Sequence, residues 1–273
     1  MNGSNSTKGA KPFSWLVIFF GVAYFCQHFG QAGLITQPLQ FYFKEVLHYG
    51  ADQIAAFFAI LTIPWMIKPA YGLVCDYLPL FGYRRKSYLL LLNLAASVGF
   101  LWITGLADTG AIRIALVMTA FCTAFSDVAI DGLMVELGKS TGRTAQFQSM
   151  QWVWFNVAMV ISSLAGGFFT EYLPVESAYR VAAAITAIFP LFVVVATWFW
   201  VKEERSRIEL AGLKQTTIGL WQALKSRTLW LVVGFIARGE FSPAFGTPLY
   251  RHMTARRKCS RGRIGTLGGR GSV

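Results

Sequence analysis

This sequence predicts an all-α integral membrane protein, and three observations predict it. Of its 273 residues, 55% are apolar and only 14% are charged, where ordinary soluble chains carry roughly 25% charged residues. The mean hydropathy is +0.48. The apolar residues fall in blocks of the length that a helix needs to cross a bilayer, about 20 residues. A net charge of +12, from 25 Lys and Arg against 13 Asp and Glu, would suggest nucleic acid on a soluble domain. Here seven of the basic residues lie in the last 23, so no nucleic-acid partner is expected.

The elements follow in chain order. Residues 1–13 are polar and rich in Gly, Ser and Asn, and read as a cytoplasmic tail. Ser14 to Leu34 is the first span, too long and too lacking in an A-x-A-like end to be a cleaved leader. Ile54 to Cys75, Tyr88 to Leu106, Ile112 to Val135, Ser149 to Phe169 and Ala178 to Val201 supply five more, so residues 14–201 read as a six-span bundle. Residues 202–228 mix charge with Ile, Leu and Trp and read as a cytoplasmic linker with a surface helix. Leu229 to Tyr250 is a seventh span, and 251–273 is a basic Gly/Arg tail that reads as disordered. A central Arg costs about 2.5–3.5 kcal/mol in a bilayer, so that tail does not cross one.

Orientation follows from the basic residues, which are retained on the cytoplasmic side. Thirteen lie in one set of connections: Lys8, Lys11, Arg84, Arg85, Lys86, Lys139, Arg143, Lys202, Arg205, Arg207, Lys214, Lys225 and Arg227. The opposite set holds Lys44, Arg113 and Arg180. The N-terminus is therefore expected in the cytoplasm. Cys26, Cys75 and Cys122 fall inside apolar blocks and Cys259 in the tail, with no C-x-x-C pair, so they read as packing residues and not as a metal or redox site.

Polar residues inside the spans are the candidate functional groups. Thr119, Thr123, Asp127 and Asp131 recur every four positions in the fourth span and form one gently winding face. Carboxylates in a span are costly and usually functional, and one desolvated in a cavity can exchange protons near neutral pH. Asp127 is the proton-coupling candidate. Asp131 and Glu136 lie nearer the cytoplasmic end, within expected reach of Arg84 or Arg85. Tyr24, Gln27, His28 and Gln31 share a face of the first span, and the two amides suit a polar or heteroaromatic solute. Interhelical hydrogen bonding is the competing reading of that face. Ala158, Ser162 and Gly166 follow the small-x-x-x-small pattern of close helix packing. Lys68 precedes Pro69 near the cytoplasmic end of the second span, where it either serves a pocket or snorkels. Arg238, beside Glu240, is a candidate for a solute carboxylate.

The connection after the second span carries Gly72, Asp76, Gly82, Arg84 and Arg85 in order. It resembles the G-x-x-x-D…G-x-R-R signature of the major facilitator superfamily, in which acid and arginines form a conformational latch. The run from Gln31 to Leu92, with SDVAIDGLMVE (Ser126 to Glu136) and FSPAFGTPLY (Phe241 to Tyr250), is similar to the folate-biopterin transporter family, a branch of that superfamily. The resemblance covers roughly residues 13 to 250. It implies a major-facilitator-type six-helix N-terminal bundle plus a seventh span, with the second half of a twelve-span member missing. It also implies importance for Lys68, Pro69, Gly72, Asp76, Arg84, Arg85, Asp127, Asp131 and Glu136, with Gly82 and Lys68 grouped with the latch. The expected activity is proton-coupled movement of folate, biopterin or a related pteridine across the inner membrane, without a cofactor or metal. Pairing with a second half or another copy would complete the carrier. Alternatives are a facilitator for sugars or drugs, or a non-transporting fragment. An enzyme is not expected, since no H-E-x-x-H or nucleophile elbow is present.

Overall fold

A computed structural model describes residues 13–29, 33–203, 205, 222 and 225–240. These residues form α1 (Phe13–Phe29), α2 (Gly33–Glu45), α3 (Ala51–Ile60), α4 (Ile63–Met66), α5 (Lys68–Tyr77), α6 (Lys86–Thr104), α7 (Thr109–Thr141), α8 (Thr144–Tyr172), α9 (Val175–Thr186), α10 (Ile188–Trp200) and α11 (Arg227–Glu240). Six segments are long and apolar enough to cross a membrane: Trp15–Glu45, Ala51–Tyr77, Lys86–Thr104, Thr109–Thr141, Thr144–Tyr172 and Val175–Trp200. The expected seventh span is described only as α11, because residues 241–250 and the 251–273 tail lie outside the described residues.

Two expected boundaries shift most. The first segment runs on to Glu45 where the sequence reading stopped at Leu34, because α2 stays helical through Gln37, Pro38 and Lys44. The fourth extends from Val135 to Thr141. Its start is fixed by Asp108, whose carboxylate accepts the Ala111 N–H at 2.7 Å, as an N-cap does. Its end is fixed by Gly142 at φ +68°, the left-handed cap that glycine adopts without strain. Gly138 then lets α8 begin beside it, since a Cβ there would lie 2.9 Å from the Thr144 backbone.

Prolines break two spans, and side-chain hydroxyls bond carbonyls beside the breaks. Pro64 and Pro69 remove two backbone donors and divide the second span into α3, α4 and α5. The Tyr71 hydroxyl donates to the Pro64 carbonyl at 3.0 Å. The sixth span bends at Ala187, three residues before Pro190, and the Ser97 hydroxyl donates to the Ala187 carbonyl at 2.7 Å.

The interior has two apolar clusters stacked along the bundle. One contains Phe29, Leu39, Phe43, Phe57, Ile103 and Tyr179, the other Phe20, Tyr24, Leu89, Ile130 and Phe147. On α7 the change from one to the other falls between Cys122 and Ala124, and on α1 between Cys26 and Phe29. Gln27 and Thr123 thus sit at the junction. Ala158, Ser162 and Gly166 are all buried on α8, which packs along α1 and α2.

Candidate functional site

The break before α5 sets Lys68 against α7. Its Nζ donates to Asp127 Oδ2 at 2.5 Å and stands 4.5 Å from the centroid of the Trp65 ring. Lys68 was expected to serve a pocket, to snorkel or to join the latch, and its ammonium is placed against Asp127 and Trp65. The pair is unequal in burial, with side-chain exposures of 34% for Lys68 and 5% for Asp127. The other Asp127 oxygen, Oδ1, is buried with no hydrogen-bond partner.

The polar faces of α1 and α7 meet each other. Gln27 donates from Nε2 to the Thr123 carbonyl at 3.1 Å, leaving its buried Oε1 without a partner. The Tyr24 hydroxyl donates to Asp131 Oδ1 at 2.7 Å, and Gln151 Nε2 donates to the same oxygen at 3.1 Å. Asp131 is therefore held by α1 and α8 and not paired to an arginine. His28 is turned back on its own helix, Nδ1 lying 3.0 Å from the Tyr24 carbonyl oxygen, with its ring against Phe155. The threonines also bond to their own helix, Thr119 to the Leu116 carbonyl and Thr123 to the Thr119 carbonyl. Gln31 lies outside the described residues. Arg238 is on α11, and its side chain is likewise outside them.

Beside this layer is a cavity of about 200 Å³ lined by Thr36, Phe58, Trp65, Phe100, Thr119 and Thr123 among others. It is smaller than the roughly 300–1,000 Å³ of a typical small-molecule site.

The residues expected to form the latch gather at one end of the bundle. A tight turn carries the chain from α5 to α6, with Phe81 at φ +53° and Gly82 at φ +82°. Gly82 suits that left-handed position, and the Arg205 stem lies over it. Arg85 bonds Asp76 Oδ1 at 3.0 Å and also pairs with Glu136, while Arg84 lies 3.9 Å from Glu136. Together with Asp131, Gly72 and Lys139 these groups line an open cavity of about 520 Å³. Gly72 was expected to permit close helix approach, but a Cβ there would meet only Val128, at 3.7 Å. The tight approach is at Gly132, where a Cβ would sit 2.8 Å from Arg85 Nε.

Glu203 was missed by the sequence reading. Its carboxylate accepts from the backbone N–H groups of Arg84, Arg85 and Lys86 at 2.9–3.2 Å, capping the start of α6 with negative charge. Lys86 Nζ completes the clamp by donating to the Val201 carbonyl at 2.8 Å. The available signal was an acid immediately after the sixth span, facing a basic connection.

The architecture among the described residues is an all-α bundle with six segments of membrane-crossing length. A solved bacterial homologue of the human drug peptide transporters PepT1 and PepT2 superposes with a TM-score of 0.59, at 14% identity, over 90% of this chain and 57% of its own. Residues 30–238 match the profile of the BT1 family, and the chain belongs to that family. A folate-biopterin transporter of Synechocystis sp. is 32% identical over 238 residues, which is 85% of this chain and 46% of the relative. Folate transporter 2 of Plasmodium falciparum is 26% identical over 74% of this chain and 44% of its own. The probable folate-biopterin transporter 4 of Arabidopsis thaliana is 27% identical over 64% and 36% respectively. The chain thus spans less than half the length of these relatives.

Proposed function

We propose that this chain forms one wall of a secondary active transporter that moves folate, biopterin or a related pteridine across the inner (plasma) membrane by alternating access, coupled to protons. The observation that carries the reading is the pair of buried, unpartnered acceptors at mid-bundle, Asp127 Oδ1 and Gln27 Oε1. A pterin ring offers the complementary donor edge, an amino group beside a ring N–H. The names of the relatives support the same solute class. Trp65 and Phe58 on the neighbouring cavity wall supply stacking surface.

In this reading a proton reaching Asp127 frees Lys68, and binding of the solute and breaking of the Lys68–Asp127 pair become one event. Asp131, held by Tyr24 and Gln151, lies one turn nearer the basic end and passes the proton on. Arg85, with Asp76 and Glu136, latches that end shut, and Gly82 with Arg84 shapes the turn that presents it. The basic end and the N-terminus face the cytoplasm. A second six-span unit, from a longer chain or another copy, closes the cavity.

The test is uptake of labelled folate and biopterin into proteoliposomes containing the protein, with and without an imposed pH gradient. Wild type is expected to accumulate label with the gradient, and Asp127→Asn to lose at least about ten-fold of that rate, since one charged hydrogen bond is worth about 1.5–3 kcal/mol. Gradient-driven uptake unchanged in Asp127→Asn would overturn the role given to Asp127. No uptake of either pteridine by the wild type would overturn the transport reading.

A further inference from the structure

We infer that Arg113 is a carboxylate-recognising residue of the solute path, so that the preferred solute is a pteridine carrying an anionic tail, not an unconjugated pterin. The inference rests on the transport reading and adds a second recognition pole to it. Arg113 stands in the second turn of α7, half-buried, with its guanidinium 5.2 Å from the centroid of the buried Phe57 ring. Its Nε is buried with no hydrogen-bond partner, and it makes no ion pair among the described residues. Asp108, the carboxylate nearest it in the chain on α7, is occupied in capping the helix. A guanidinium whose Nε is withdrawn from water without a counter-charge carries part of a desolvation penalty that an anionic ligand would relieve.

Its position on the helix supplies the second, independent argument. Arg113, Ala120 and Asp127 are seven residues apart, a spacing that drifts only about 20° per step on an α-helix. They lie on one face, and between the two charged residues Leu116, Ala120 and Thr123 line the mid-bundle cavity. At 1.5 Å per residue the backbone distance from Arg113 to Asp127 is about 21 Å. The rail therefore has an acceptor pole for a donor edge, an aromatic-walled middle and a cationic pole. A pteridine joined through an aryl spacer to a carboxylate tail matches that sequence of chemistries and that length, and biopterin matches only the first.

The experiment is equilibrium binding to the purified protein by quenching of tryptophan fluorescence, with folate, p-aminobenzoylglutamate and biopterin as probes. In Arg113→Gln, folate is expected to weaken by at least about ten-fold, p-aminobenzoylglutamate to stop competing with folate, and biopterin to stay within about two-fold of wild type. Arg113→Lys, which keeps the charge but not the fork, should fall between. The retained biopterin affinity reports that the variant is folded. Wild-type folate affinity in Arg113→Gln, or equal losses for folate and biopterin, would overturn the inference and leave the transport reading standing. Wild-type protein that bound neither pteridine would overturn both.

Discussion

Lys68 and Asp127 are unequal partners, and the inequality makes a prediction. Removing Lys68 strands a carboxylate that is 5% exposed, and breaking a buried pair in that way costs about 3–5 kcal/mol. Removing the charge of Asp127 strands an ammonium on a flexible stem that is 34% exposed and can turn towards water, for about 1 kcal/mol. Thermal unfolding in detergent should rank Lys68→Ala well below Asp127→Asn, with the double variant recovering most of the loss. Equal losses in the two single variants would contradict this ordering. Gly132→Ala tests the latch in the same way. The new methyl would push on the guanidinium of Arg85, so the fold should lose about 1 kcal/mol, while the pairs with Asp76 and Glu136 loosen. Alkylation of Cys75, which lines the same cavity, should then speed up in a protein holding it as the sole cysteine, and an unchanged rate would show that Arg85 is not displaced. The carboxylates themselves were legible in the sequence, because a charge in an apolar run is conspicuous. Their partners were not. Lys68 and Asp127 are 59 positions apart, and no periodicity within one helix reports which residue of another will face it.

At the scale of elements, six spans could be read from apolar block length, but their breaks and ends could not. A hydropathy average does not register that Pro64 and Pro69 divide one span into three helices, nor that α2 continues through Gln37 and Lys44. Those outcomes depend on tertiary bonds at the breaks, such as the Tyr71 hydroxyl at the Pro64 carbonyl, and on burial against α8 and α9. Glu203 escaped for a related reason: the count that orients the chain uses Lys and Arg alone, so an acid among them carries no weight. Its replacement by Ala should leave three N–H groups at the start of α6 without their acceptor, at a cost of about 1–2 kcal/mol. Glu203→Gln keeps one carbonyl acceptor and should lose about half as much. Hydrogen exchange at the amides of residues 84–86 is the direct measurement. Unchanged protection in Glu203→Ala would mean that other groups satisfy them.

For the molecule as a whole, the two ends differ in charge and the flanks are apolar. Trp102, Ile114, Phe168, Trp198 and Phe199 are each more than half exposed, as suits side chains that meet lipid. The 13 to 3 division of basic residues predicts which end faces inwards. A cysteine replacing Phe81, which is 80% exposed in the latch turn, should react with an impermeant maleimide in inside-out vesicles and not in intact cells. Labelling from the outside would reverse the orientation. The Glu203 clamp has a consequence for how the protein is made. The amide of Arg85 and the carboxylate that caps it are 118 positions apart, so at about 5–20 residues per second a ribosome needs about 6–24 s to supply the second after the first. Throughout that interval α6 begins uncapped, with the backbone N–H groups of Arg84, Arg85 and Lys86 lacking their acceptor. The start of α6 can therefore reach its final form only after the sixth span has been made.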